Sequence, residues 1–85
     1  MDRLLYGGLD RDVIEVIERD GRRYIRYDAG AHQIAMREDE LTQEEFELVI
    51  AGGKTQDQGM RAMQARLTAN GIDAYVSNWR QGDEG

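Results

Sequence analysis

The sequence predicts a small α+β domain with the element order β-β-β-α-α-β. Three observations predict it. Two runs of alternating apolar residues meet at Asp20-Gly21, two helical patterns each open on a Thr followed three residues later by Glu or Gln, and a β-branched and aromatic stretch closes the pattern. Residues 13–79 form the expected domain. Residues 1–12 precede it as a segment whose order the sequence does not decide: Leu4, Leu5, Tyr6 and Leu9 are apolar enough to dock, but Gly7-Gly8 interrupts any long strand. Residues 80–85 read as a flexible acidic tail.

Val13 to Arg19 and Arg22 to Tyr27 read as two strands joined at Asp20-Gly21, residues that accept the positive φ values of a type I′ turn. Pairing Arg19 with Arg22 sets Glu18 opposite Arg23, Ile17 opposite Tyr24, Val16 opposite Ile25, Glu15 opposite Arg26 and Ile14 opposite Tyr27. That register sends Ile14, Val16, Ile25 and Tyr27 to one face, expected to meet the core. Glu15, Arg19, Arg22 and Arg26 share the other with Ile17 and Tyr24. After the small-residue turn at 28–31, a third strand is expected from the alternation of Ile34 and Met36 with Gln33, Ala35 and Arg37.

Thr42 with Glu45 has the spacing of a capping box, in which the Thr hydroxyl and the Glu carboxylate each satisfy an orphan backbone N–H. Leu41 can staple onto Phe46. A helix is expected over 43–51, with Phe46, Val49 and Ile50 on its packed face, Leu48 nearly opposite, and Gly52-Gly53 ending it. Thr55 with Gln58 repeats the device and opens a helix to about Asn70, stopped by Gly71. Met60, Met63 and Leu67 line its core face, and Ala62, Ala65 and Ala69 form a small-residue stripe roughly opposite, a surface suited to packing against a second copy. Asp73 to Trp79 reads as a final strand, with Trp79 at the core edge or an interface.

An 85-residue chain buries roughly 60–65% of its unfolded surface and has room for one modest core. It contains no Cys, which removes disulfides, thiolate nucleophiles and the usual zinc clusters and predicts a reducing, cytoplasmic setting. The longest apolar run is Leu48 to Ala51, so neither a secretion signal nor a membrane span is expected. Residues 1–37 are charge-balanced; the whole net charge of −6 falls in residues 38–85.

No set of residues reads as a catalytic, metal or cofactor site. Gly52-Gly53-Lys54-Thr55 has part of a phosphate loop, but Leu48 stands where its first Gly is required and a helix precedes it instead of a strand. His32 and Ser77 are the only residues of their kinds, and neither has a partner assignable from sequence. The acidic run Glu38, Asp39, Glu40, Glu44, Glu45 and Glu47 lacks the calcium-loop spacing and its turn Gly. Uninterrupted by any basic residue, it suits a surface that faces a basic protein partner, with Leu48 as an apolar contact among the acids. Arg19, Arg22, Arg23 and Arg26 around the hairpin tip, beside Tyr24, carry the alternative of phosphate contact with stacking or of docking onto a neighbouring copy. The overall charge disfavours direct nucleic-acid binding.

In size and charge, though in no residue motif, the chain resembles the small acidic accessory proteins with which phages and other mobile elements block host nucleic-acid-handling machinery. The resemblance implies a non-enzymatic inhibitor that occludes a basic surface. The other expectations are a small nucleic-acid-associated regulator using the arginine hairpin and a structural subunit self-assembling through the Ala62, Ala65 and Ala69 stripe.

Overall fold

Alternation, turn chemistry and capping produce the elements of the computed structural model, which describes residues 2–10, 13–30 and 33–80. The protein is α+β, with a four-stranded antiparallel sheet of strand order β1-β2-β3-β4 followed by two helices. The strands are β1 (Arg3–Gly7), β2 (Ile14–Arg19), β3 (Arg22–Asp28) and β4 (Met36–Leu41); the helices are α1 (Gln43–Ile50) and α2 (Gly53–Ala69). The chain divides into two compact units, one built from the residues up to Glu40 together with those from Tyr75 onward, the other spanning Leu41–Ala74. Among the described residues no helix is long and apolar enough to cross a membrane.

In the first unit, β2 and β3 pair in the expected register from Arg19↔Arg22 to Ile14↔Tyr27. Asp20 and Gly21 both take positive φ, 54° and 78°, as the tight turn between twisted strands demands. Ile14, Val16, Ile25 and Tyr27 are buried on one face. Full burial of Val16 and Ile25 contributes about 1.5–3 kcal/mol each. Ile17, on the opposite face, is buried as well.

The sheet gains a strand in the opening residues, whose order the sequence left open, and its last strand is shifted from the expected place. The opening residues supply a strand: β1 pairs antiparallel with β2, Arg3 opposite Glu18 and Gly7 opposite Glu15, with an irregularity between Leu4 and Tyr6 that lets the short strand keep pace with its neighbour. The third strand of the expected meander, now β4, starts later, at Met36: the Asp28 carboxylate accepts the N–H groups of Gly30 and Ala35, both at 2.9 Å, and holds Ala35 beside the end of β3. Ile34 is left 78% exposed. β4 therefore runs through Glu38, Asp39 and Glu40, poor strand formers that the neighbouring arginines make tolerable.

The expected final strand is absent: residues 73–79 form no strand, and the helices follow the last strand of the sheet. The segment instead lies along β4 through bonds converging on a single carbonyl, that of Met36, and through the Asn78 side chain, where a strand would spread backbone bonds along a ladder.

In the second unit, α1 begins on a complete capping box: Glu45 N–H donates to Thr42 Oγ1 at 3.2 Å and Thr42 N–H donates to Glu45 Oε1 at 3.0 Å. Its buried residues are Glu45 and Val49; Phe46 and Leu48 are both half-buried and Ile50 is exposed, so of the expected face only Val49 is fully buried, and Leu48 is partly covered. A Cβ at Gly59 would come within 2.9 Å of both Leu48 Cβ and Val49 Cγ2, so α1 lies close against α2 at a position where α2 has no side chain. α2 starts two residues ahead of its expected Thr55 cap, at Gly53 after the N-cap Gly52. Gln56 donates its backbone N–H to the N-cap Gly52 O at 3.0 Å, and its amide Nε2 ties this start to α1 by donating to Val49 O at 3.1 Å. The helix ends as expected, with Gly71 N–H donating to Thr68 O and Ile72 N–H to Leu67 O, both at 3.0 Å. Met63 and Leu67 are buried, and Ala62, Ala65 and Ala69 face solvent.

Candidate functional site

The charged residues singled out in the sequence are where structure and candidate function meet. On the face of the sheet opposite Ile14, Val16, Ile25 and Tyr27, Arg19 from β2, Arg26 from β3 and Glu38 from β4 converge with Asp2 and Glu15. Arg19 donates through Nε and Nη2 to the two Asp2 oxygens at 2.6 and 3.0 Å, and through Nη1 and Nη2 to Glu38 at 2.9 and 3.1 Å. Arg26 spends each of its nitrogens on a different carboxylate: Nε on Glu38 at 2.8 Å, Nη1 on Glu15 at 2.9 Å and Nη2 on Asp2 at 2.6 Å. Aromatic rings flank the guanidinium groups, Tyr24 at 4.9 Å from Arg19 and Trp79 at 4.7 Å from Arg26.

The electrostatics follow from this geometry. Hydrogen bonds from Arg19, and secondarily from Arg26, hold the Asp2 carboxyl below the usual carboxylate range. Partial burial raises the Glu38 carboxyl, but the bonds from Arg19 and Arg26 outweigh it and leave Glu38 lowered. Carboxylates held ionised in this way are poorly placed to donate protons, and guanidinium groups saturated by carboxylates have few donors left for phosphate.

The other face of β4 holds a second charged group. Arg37 and Asp39, only 3% and 6% exposed, form a fork of two bonds, Nε to Oδ2 at 2.9 Å and Nη2 to Oδ1 at 2.8 Å. The Tyr27 hydroxyl donates to Asp39 Oδ2 at 2.8 Å. Burial, and then this bond, push the Tyr27 hydroxyl above its ordinary range.

The acidic run is thus divided among separate environments. Glu38 belongs to the arginine network, Asp39 to the buried pair, and Glu40 is exposed with a carboxylate oxygen 3.9 Å from Arg22. Glu45 is buried in the helical unit, where Arg66 Nε and Nη2 donate to it at 2.9 and 2.8 Å. Burial raises its carboxyl, but the Arg66 and Thr42 bonds prevail and lower it. Glu44 and Glu47 are exposed on α1, Glu47 accepting from Gln43 Nε2 at 2.8 Å, and Leu48 is half-buried toward Gly59.

Of the hairpin arginines, Arg19 and Arg26 are committed to the network, Arg22 is exposed and Arg23 is half-buried. Ser77 Oγ donates to Met36 O at 3.0 Å. Lys54 and Thr55 lie in the first turn of α2, behind a helix. His32 lies outside the described residues. Among those residues no three His, Cys, Asp or Glu side chains are grouped to hold a metal ion.

Sequence reading missed the partners of these charges. Asp2 to Arg19, Arg66 to Glu45 and Asn78 to Glu38 join residues 17, 21 and 40 apart, with no periodic signal to connect them. The Arg37 and Asp39 pair had a signal, since opposite charges two apart on a strand share a face. No protein-family model, curated protein or solved structure matches this chain.

Proposed function

We propose that the protein is a non-enzymatic binding module that presents exposed carboxylates of α1 to a protein partner with a basic surface. The observation that carries this reading is the contrast within α1: Glu45 turns inward and is neutralised by Arg66, whereas Glu44 and Glu47 stay at the surface near the exposed Ile50. Net negative charge is concentrated in solvent while four arginines, Arg19, Arg26, Arg37 and Arg66, are spent on internal carboxylates. Carboxylates on a rigid helix are suited to stand where phosphates would on a nucleic-acid-handling protein, which is the mode of an occluding inhibitor of the phage type. Of the six acids in the run, this reading assigns partner contact to Glu44 and Glu47 and a structural role to Glu38, Asp39 and Glu45.

The test is a nuclease-treated pull-down from lysate of the source cells with three tagged proteins: wild type, Glu44→Arg/Glu47→Arg and Arg22→Ala/Arg23→Ala. A basic partner captured by wild type and by the arginine variant, lost with the helix variant and released by about 0.5 M salt supports the reading. Capture that survives charge reversal on α1 and fails with the arginine variant favours the hairpin. Solution mass that rises with concentration, without any captured partner, favours assembly through the Ala62, Ala65 and Ala69 stripe.

A further inference from the structure

Alternate residues of a strand turn their backbone groups to the same edge, and on β4 Met36 and Glu38 present theirs to the side away from β3. Such an edge is a ready template for an extended segment. Residues 76–79 of the same chain occupy it. The N–H groups of Asn78 and Trp79 donate to Met36 O at 3.1 and 3.2 Å. Asn78 then uses its side chain as a stand-in for backbone: Oδ1 accepts Glu38 N–H at 2.7 Å and Nδ2 donates to Glu38 O at 3.1 Å. Arg37 Nη1 donates to the Val76 carbonyl, and the Trp79 ring lies over the Arg26 guanidinium.

These contacts form a set of recognition elements. One carbonyl on the strand takes two backbone N–H groups, one donor–acceptor pair reads a carboxamide, a guanidinium reads the backbone carbonyl two residues before it, and a second guanidinium takes the aromatic ring that follows. Of the occupant's residues Val76 remains 56% exposed, Ser77 and Asn78 are exposed, and Trp79 is half-buried. Held by polar contacts at a sheet edge, the occupant is the kind of segment that opens locally without global unfolding.

We propose that the β4 edge is a peptide-recognition site for an extended partner segment carrying a carboxamide side chain followed by an aromatic residue, and that Val76-Ser77-Asn78-Trp79 occupies it in cis as a displaceable stand-in. This proposal is independent of the α1 reading: it does not depend on Glu44 and Glu47, the residues to which that reading assigns partner contact.

The chain has one Trp, so the full-length Asn78→Ala/Trp79→Ala variant is Trp-free and a synthetic peptide with the sequence of residues 74–80 brings the only indole. Peptide fluorescence titrated with the variant is expected to shift saturably, with at least ten-fold tighter binding than the wild type gives for the same peptide carrying a fluorescein label. Replacing the peptide's Asn by Ala should abolish the shift. No saturable shift with a variant that retains its circular dichroism, or a shift indifferent to that Asn, overturns the proposal. Should the variant fold poorly, amide exchange of Glu38 in the wild type decides: exchange faster than the slowest core amides, and retarded by excess peptide, supports the site. Exchange only through global unfolding overturns it. A wild-type dimer that Asn78→Ala dissociates also overturns the partner assignment, because the occupant is then a second copy's segment.

Discussion

Asp39 lies between Arg37 and the Tyr27 hydroxyl on one face of the sheet, shut away from water; Glu38, one residue earlier on the same strand, is shared by Arg19 and Arg26 on the other face and keeps some solvent contact. Adjacent carboxylates thus meet opposite conditions because a strand alternates its side chains. In the buried pair Arg37 and Asp39 answer each other through two bonds, and removing one takes the counter-charge from the other in a medium that solvates charge poorly. In the network each guanidinium has several carboxylates, so the loss of one is shared. Charge in the first unit is therefore concentrated and fragile on one face, distributed and tolerant on the other.

The largest expected effect breaks the fragile side. Asp39→Ala should cost about 3–5 kcal/mol in urea unfolding by leaving Arg37 buried without its counter-charge, whereas Arg37→Met/Asp39→Leu, which removes both charges, should cost far less. A double variant as damaging as the single one would show that the pair itself, and not the stranded charge, matters.

The pH dependence sharpens the contrast, because the faces fail in opposite directions. Asp2 and Glu38 have lowered folded values, so their stability is fully present above the ordinary carboxylate pKa of about 4 and is lost as pH falls through those lowered values. Tyr27 has a raised folded value; its contribution is present below about 10 and declines as pH rises above it, where the unfolded chain releases the phenol proton and the folded one does not. The urea midpoint is expected to fall below pH 4 and above pH 10. Glu38→Gln should soften only the acid limb and Tyr27→Phe only the alkaline limb.

The smallest expected effect lies at the wet end of the network. Asp2→Asn removes one of several carboxylates at a partly solvated position, and its cost should be under about 1 kcal/mol in low salt and vanish in 1 M NaCl. A larger or salt-independent loss would mean that Asp2 anchors β1 by more than charge.

How much of this was legible in the sequence varies with the range of the contacts. The β2 and β3 hairpin is written locally, in Asp20-Gly21 and in the alternation beside it, and its register follows residue by residue. The α1 capping box and the Gly71 stop are local as well. Elsewhere distant partners override local preference. Thr55 and Gln58 have the pattern of a helix start, yet Gln56 bonds back to α1 and the helix begins earlier. Asp73 to Trp79 is rich in strand formers, yet Asn78 offers its side chain to β4 and no ladder forms. For the candidate site, composition located the charges, but only the fold separated Glu44 and Glu47, exposed, from Glu38, Asp39 and Glu45, already answered by arginine.

The clasp of Asn78 on Glu38 joins residues 40 apart, whereas the bonds of the hairpin and of each helix lie within short stretches of chain. Closing a long loop costs entropy that its bonds repay only once both ends are already ordered. By this reasoning the clasp is expected to close late in folding and to open early.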